Sequence, residues 1–263
     1  MSHCLALTGG ASGIGAATLD RLLGRQCDVF VLDRMAPATN DCTHIPCDLA
    51  DPASIDDALH ALPNTLTGLI NVAGVATLDD ERNTVAINFL ALRKLTEALL
   101  PRITKGGSVV NVASSAGWKW RDFVPQIQGL LDTEDFDAGL DWLSQHPKHW
   151  QDAPYHFSKR CAAAYTYRAT ALALPRGVRV NCVNPGTTQT PASTDFRALV
   201  GDKLYDWGVD QIGRAGTPED IAEVIEFLAI GDCGWLNGQE IAVDGGYLAG
   251  ITGGWIDPSK AES

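Results

Sequence analysis

Tyr155 stands four residues before Lys159 in DAPYHFSKRCAA, residues 152–163, at what reads as the start of a helix. A spacing of i, i+4 puts both side chains on one helix face, close enough to feel each other's charge. A free tyrosine hydroxyl has a pKa near ~10, so drawing on its phenolate at pH 7 costs about 4 kcal/mol. A neighbouring ammonium lowers such a pKa by ~1–3, which makes the pair a candidate proton-transfer device with Tyr155 as acid/base and Lys159 as its tuner. Taken alone, the pair reads equally well as a ring beside a solvated charge. The surrounding residues decide.

A second group lies at the other end of the chain. The strand-like CLALT is followed at once by TGGASGIG, residues 8–15, opening a helix. Gly9, Gly13 and Gly15 allow a tight turn and close backbone approach to a pyrophosphate, with Ser12 and Ile14 filling the loop. The helix start offers free N–H groups and partial positive charge to phosphates. This is the context a dinucleotide site requires. Eighteen residues beyond Gly15, DVFVLD ends in Asp33. A carboxylate there accepts hydrogen bonds from ribose hydroxyls and repels a 2′-phosphate, which predicts NAD in preference to NADP. Arg34 is the countersign, since a guanidinium binds a 2′-phosphate, whereas Ser12 adds no positive charge.

The elements that must position these groups are legible as an alternation. Candidate strands run over 4–8, 28–33, 43–48, 67–74, 108–114, 177–184 and 239–245, and candidate helices over 13–25, 53–62, 83–104, 153–174 and 217–230. Most of the strands lack polar alternation, as strands covered on both faces do, and strand–helix alternation implies parallel strands joined by right-handed crossovers. The chain has 263 residues, 45% of them hydrophobic, enough for one large α/β domain with a sizeable core. Residues 117–152 break the rhythm: they hold Trp118, Trp120, Trp142 and Trp150 and the acidic TEDFDAGLD, and 126–145 has amphipathic spacing. They read as a helical insertion.

Composition narrows the partners. A net charge of −12 with no Lys/Arg run argues against a nucleic-acid surface, and no apolar stretch approaches the length of a membrane span. The opening MSHCLALTGG enters a strand immediately and leaves no room for a signal peptide, so the expected location is the cytoplasm. Seven scattered cysteines form no C-x-x-C pair, and His146 and His149 have no evident carboxylate or thiol partners, so no metal is expected.

Taken in order, TGGASGIG, Asp33, Asp48–Leu49, NVAG (71–74), Asn88, the serine of VNVASSAG, YHFSK, PGTTQT (185–190) and VDGG resemble the short-chain dehydrogenase/reductase family over nearly the whole chain. The resemblance implies a Rossmann-type doubly wound parallel sheet with strand order 3-2-1-4-5-6-7, and a nicotinamide cofactor. It assigns the adenine amino group to Asp48, with Leu49 beside it, and a backbone role to Asn71, Ala73 and Gly74, where Val72 departs from the commoner asparagine. It makes Asn88 the residue that kinks its helix and holds a water against Lys159. Ser114 matches the catalytic serine, with Ser115 directly after it. Pro185, Gly186, Thr188 and Thr190 belong to the turn that holds the nicotinamide. In this scheme Tyr155 takes the hydroxyl proton of an alcohol as hydride leaves, Lys159 also binds the nicotinamide ribose, and Ser114 hydrogen-bonds the substrate oxygen.

One departure remains. Ser114 and Tyr155 are 41 residues apart, whereas simple family members keep them close. The extra segment resembles a subgroup containing 3α-hydroxysteroid dehydrogenase/carbonyl reductase and coniferyl-alcohol dehydrogenase. Trp118 and Trp120 are then candidate walls for a flat, hydrophobic, cyclic or aromatic alcohol, with packing inside the insertion as the alternative. The insertion also falls where family members tetramerise, so a homodimer or a homotetramer is expected. Two other readings stay open: a reductase of 3-oxoacyl thioesters and a non-catalytic NAD-sensing module.

Overall fold

In the computed structural model, residues 3–76, 80–191 and 193–262 are described. Seven strands form one parallel sheet: β1 (Cys4–Thr8), β2 (Asp28–Asp33), β3 (Thr43–Pro46), β4 (Leu66–Asn71), β5 (Ile103–Val112), β6 (Arg179–Pro185) and β7 (Glu240–Val243). Their order is β3-β2-β1-β4-β5-β6-β7, with every pairing parallel. The order in which strands are added reverses between β1 and β4, which opens a crevice at the carboxyl ends of those strands.

Successive strand residues feed two cores. Leu5 and Leu7 of β1 join Val29, Val31, Ile70, Val110 and Val183 on one face, while Ala6, Leu32, Leu69, Val109 and Val180 point to the other. The first face is covered by α1 (Gly13–Gly24) and, from the far end of the chain, α10 (Pro218–Ile230). The second is covered by α2 (Pro52–Ala61), α4 (Ala91–Leu99) and α7 (Pro154–Ala173). Burial on both faces is why these strands show no polar alternation. Helix starts follow local chemistry. Asp51 accepts from Ala53 N at 2.9 Å ahead of α2, and Thr217 and Asp220 form a reciprocal capping box at α10.

The expected helix over 83–104 is divided. It begins as α3 (Glu81–Val85), widens into a π turn at Ala86–Leu90, continues as α4 and closes in a 3-10 turn over Leu100–Arg102. Pro101 ends it, having no N–H to donate and a ring that clashes with the preceding turn. That frees Ile103 to open β5 five residues ahead of the expected strand, with a register irregularity against β4 between Leu66 and Gly68.

Between β5 and α7 the insertion folds into two short helices, α5 (Val124–Leu131) and α6 (Phe136–Gln145), flanked by 3-10 turns. Ile127, Leu130, Phe136, Leu143 and Trp150 join the same core as Leu90 and Phe157. Gly139 lies so close to Leu90 that a Cβ there would sit 2.5 Å from its side chain. Arg93 of α4 donates to Leu130 O, Thr133 O and Asp135 O, and Arg168 of α7 donates to Leu131 O at 2.7 Å. These bonds strap the insertion across α4 and α7. After β6 the chain forms α8 (Ser193–Val200) and α9 (Asp202–Ile212), then α10, β7 and α11 (Tyr247–Gly253).

Candidate active site

A cavity of about 630 Å3 occupies the crevice at the carboxyl ends of β1, β2, β4, β5 and β6. At one end, Gly9 adopts φ +76° directly against Ala73, where a Cβ would lie 2.7 Å from the Ala73 Cα. A Cβ on Gly15 would lie 1.9 Å from the Gly9 carbonyl oxygen. Only glycine fits at either position. The Thr8 hydroxyl accepts from Val72 N and Ala73 N, both at 3.1 Å, and so locks the NVAG turn against β1. Ser12 is the N-cap of α1 but makes no side-chain cap bond, and the first turn carries no acid. A glycine cradle facing an uncapped helix start fits a dinucleotide pyrophosphate.

Asp33 closes this end. Its Oδ2 accepts from Ala11 N and its Oδ1 from Met35 N, each at 3.0 Å, so the carboxylate braces the glycine loop while bordering the cavity. Exposed Arg34 and Met35 stand beside it. Asp48 and Leu49 form the next stretch of wall, with Asp48 held by Ser54 and Ala50. Ser12, Gly13, Ile14, Ala73, Gly74, Pro185, Gly186, Thr188 and Thr190 also line the cavity. A Cβ on Gly13 would lie 3.4 Å from Thr190, and Ser193 clasps the turn by accepting from Thr190 N at 2.6 Å and donating to Thr188 O at 2.9 Å.

At the other end the structure brings Ser114, Tyr155 and Lys159 to one wall. Ser114 caps the short turn Ser115–Gly117 by accepting from Ala116 N at 3.1 Å, and it lines the cavity with Tyr155, as Ser115 does not. Ser114, not Ser115, is therefore the serine beside the tyrosine. Lys159 is buried, donates to Val112 O at 3.1 Å and lies 5.9 Å from the Tyr155 ring centre. Burial pulls its ammonium down to about 8. Burial also pushes the Tyr155 phenol up, with the Ser114 hydroxyl pulling partly the other way. That is the reverse of the depression expected from Lys159. Desolvation is the largest influence on both groups.

Four assigned residues lie off the cavity wall. Asn71 is buried inside the sheet, its Nδ2 donating to Thr96 Oγ1 at 3.1 Å and Asn111 Oδ1 at 2.9 Å, so its side chain does not reach the cavity. Asn88 sits behind the wall in the π turn, where its carboxamide both accepts from Val75 N and donates to Val75 O. The helix irregularity expected of it is this π turn. Trp118 and Trp120 are absent from the described lining. Trp120 turns the other way, donating to Glu240 Oε1 at 2.8 Å and packing on Tyr167. Trp142 stacks on His146 at 4.6 Å, and Trp150 donates to Leu143 O, so these rings pack the insertion itself.

One aromatic side chain of the wall carried no signal in the sequence. Phe196, on α8, meets the Tyr155 ring edge-on at 5.8 Å and Tyr205 at 6.5 Å. In STDFRALV it is indistinguishable from an ordinary apolar position of an amphipathic helix. Among the described residues, no helix is long and apolar enough to cross a membrane.

Comparison with known proteins places this geometry. Residues 3–125 match the short chain dehydrogenase model, and residues 143–248 match a model described as enoyl-(acyl carrier protein) reductase. The chain is 33% identical to coniferyl-alcohol dehydrogenase of a Pseudomonas species, over 93% of this chain and 96% of that protein. It is 27% identical to a 2,5-dichloro-2,5-cyclohexadiene-1,4-diol dehydrogenase of Sphingobium indicum, over 93% and 96% respectively. Among solved structures it is similar to 3-alpha-hydroxysteroid dehydrogenase from Pseudomonas sp. B-0831 complexed with NADH. That match has a TM-score of 0.81 and 26% identity, and covers 97% of this chain and 100% of the other.

Proposed function

The chain belongs to the short-chain dehydrogenase/reductase family, and we propose that it interconverts a hydrophobic, cyclic or aromatic alcohol and its carbonyl, with NAD as partner and Tyr155 as acid/base. The observation that carries this reading is that Ser114, Tyr155 and Lys159 line one wall of the same cavity as the glycine cradle. The nicotinamide cofactor, when bound, accepts or returns the hydride. Tyr155 removes the hydroxyl proton in oxidation and supplies it in reduction. Ser114 holds the substrate oxygen and steadies the charge that develops on it. Lys159, fixed by Val112 O, turns its charge toward both Tyr155 and the cofactor ribose.

Asp33 supports NAD. Its oxygens are fixed by two backbone amides, and a carboxylate retains further lone pairs for ribose hydroxyls while repelling a 2′-phosphate. A ring-bearing substrate is supported by Phe196 beside Tyr155 and by the ring alcohols named for the relatives. A homodimer is supported by the insertion lying across α4 and α7, and a reducing, cytoplasmic location by seven unpaired thiols.

The deciding experiment is a screen of NAD and NADP reduction across steroid, monolignol, terpenol and simple cyclic alcohols, repeated with Tyr155→Phe. Ring alcohols with NAD should give the highest kcat/KM, and Tyr155→Phe should lose roughly 10^2–10^4-fold in kcat while still binding cofactor. Undiminished turnover in that variant removes Tyr155 from the chemistry. Reduction of 3-oxoacyl thioesters is the second reading, to which the description of the model matching residues 143–248 adds an acyl carrier but a carbon–carbon double bond in place of the 3-oxo group. A net charge of −12 offers little attraction to an acidic acyl carrier, and thioesters added to the screen separate the two. An NAD-sensing module predicts no turnover in any arm.

A further inference from the structure

Ser158 lies between Tyr155 and Lys159 on α7, fully buried, and none of the chemistry above uses it. Its hydroxyl is engaged in both directions. It donates to the Tyr155 carbonyl oxygen at 2.8 Å and accepts from Asn88 Nδ2 at 3.0 Å. A serine inside a helix commonly donates to a carbonyl of the preceding turn, and that bond alone would be unremarkable. The acceptor side is different, because the donor comes from another element.

The Asn88 carboxamide has one arrangement only. Oδ1 accepts from Val75 N at 2.8 Å and Nδ2 donates to Val75 O at 2.9 Å, which fixes which end is oxygen. The second N–H of Nδ2 then has Ser158 Oγ as its acceptor, in a site from which water is excluded. The result is a chain of hydrogen bonds from Val75, which borders the cavity after β4, through the π turn to the first turn of α7. Gly74 is wedged into the same junction: a Cβ there would lie 3.1 Å from Lys159 Nζ and 3.2 Å from Asn88 Oδ1. Asn88 and the main chain of Tyr155 are thus joined through one hydroxyl, beside the junction of Gly74 and Lys159.

We infer that Ser158 is a positioning residue, tying the main chain of Tyr155 to the Asn88–Val75 junction so that the phenol stays aligned with Ser114 and Lys159. This rests on the reading of Tyr155 as acid/base. Removing the hydroxyl leaves a buried Asn88 N–H without an acceptor and frees the turn that carries the phenol. The cofactor cradle at Gly9–Gly15 is built from other residues and is untouched.

The test is steady-state kinetics with NAD and the best alcohol of the screen, alongside NADH titration, for Ser158→Ala, Ser158→Thr, Ser158→Cys and Tyr155→Phe in the full chain. Ser158→Ala should retain the wild-type KM and NADH affinity while losing between about 10- and 100-fold in kcat, as expected for a misaligned catalytic group. Ser158→Thr keeps the hydroxyl and should recover most of that loss. Ser158→Cys is nearly isosteric with a weaker donor and should fall between, which keeps the test readable if the alanine variant does not fold. Wild-type kcat in the alanine or cysteine variant overturns the inference, as do equal losses in alanine and threonine, which would mean packing alone. Full turnover in Tyr155→Phe overturns the acid/base reading and Ser158 with it. Loss in Tyr155→Phe with none in Ser158→Ala overturns only the role of Ser158.

Discussion

Lys159 pays a stability cost for its place in the wall. Its ammonium is pulled by burial from an ordinary 10.5 to about 8, so the folded chain releases that proton before the unfolded chain does. Below pH 8 both states hold the proton and the burial penalty is fully present. Between about 8 and 10.5 the unfolded state binds more protons, and stability contributed by this group rises with pH. The whole effect is on the order of 3 kcal/mol. Urea midpoints at pH 7, 9 and 10 for the wild type and Lys159→Met should therefore diverge, the wild type gaining relative to the variant as pH rises. Cys47, raised by burial to about 11 without influence from Lys159, titrates in both proteins and cancels in the difference, whereas Cys182 feels the Lys159 charge and titrates higher in the variant. Parallel curves would show that Lys159 keeps its proton when buried.

At the scale of elements, Glu240 fastens the insertion to the sheet. On the edge strand β7 it accepts from Trp120 Nε1 at 2.8 Å, from Tyr167 OH at 2.7 Å and from Arg121, while its other oxygen meets Asn184 Nδ2 at 3.4 Å. Glu240→Ala should lower stability by roughly 1–3 kcal/mol through the donors it orphans. Trp120 should become more exposed, with a red-shifted emission, while NADH affinity stays at the wild-type level. Unchanged emission and melting temperature would remove the clasp. Nothing in the sequence marks this contact, because the partners are 120 residues apart and each is an ordinary surface residue by itself. The π turn at Ala86–Leu90 has no breaker in AINFL to mark it, and only the family resemblance, through Asn88, pointed to an irregularity there. Pro101, by contrast, was a readable stop. The expected helix overran it because the apolar spacing continued through Leu100 and Ile103.

For the whole molecule, the insertion decides which surfaces remain open to another copy. Arg93 and Arg168 hold α5 and α6 across the helices α4 and α7, where the family resemblance led a tetramer contact to be expected. Light scattering should accordingly return the mass of two chains, about twice 28.1 kDa; a mass of four chains would mean that the insertion itself builds the interface. The sequence alone determined the parallel sheet, the glycine cradle and the Tyr155–Lys159 pair. Each depends on a local obligation: a glycine where no Cβ fits, a helical spacing of four, or an apolar strand between two helices. Tertiary structure alone decided that Trp120 faces Glu240 instead of the cavity, and that burial raises the phenol Lys159 was expected to lower. Those outcomes depend on which distant groups share a water-free space, and on how desolvation there compares with attraction, a balance no short stretch of chain contains.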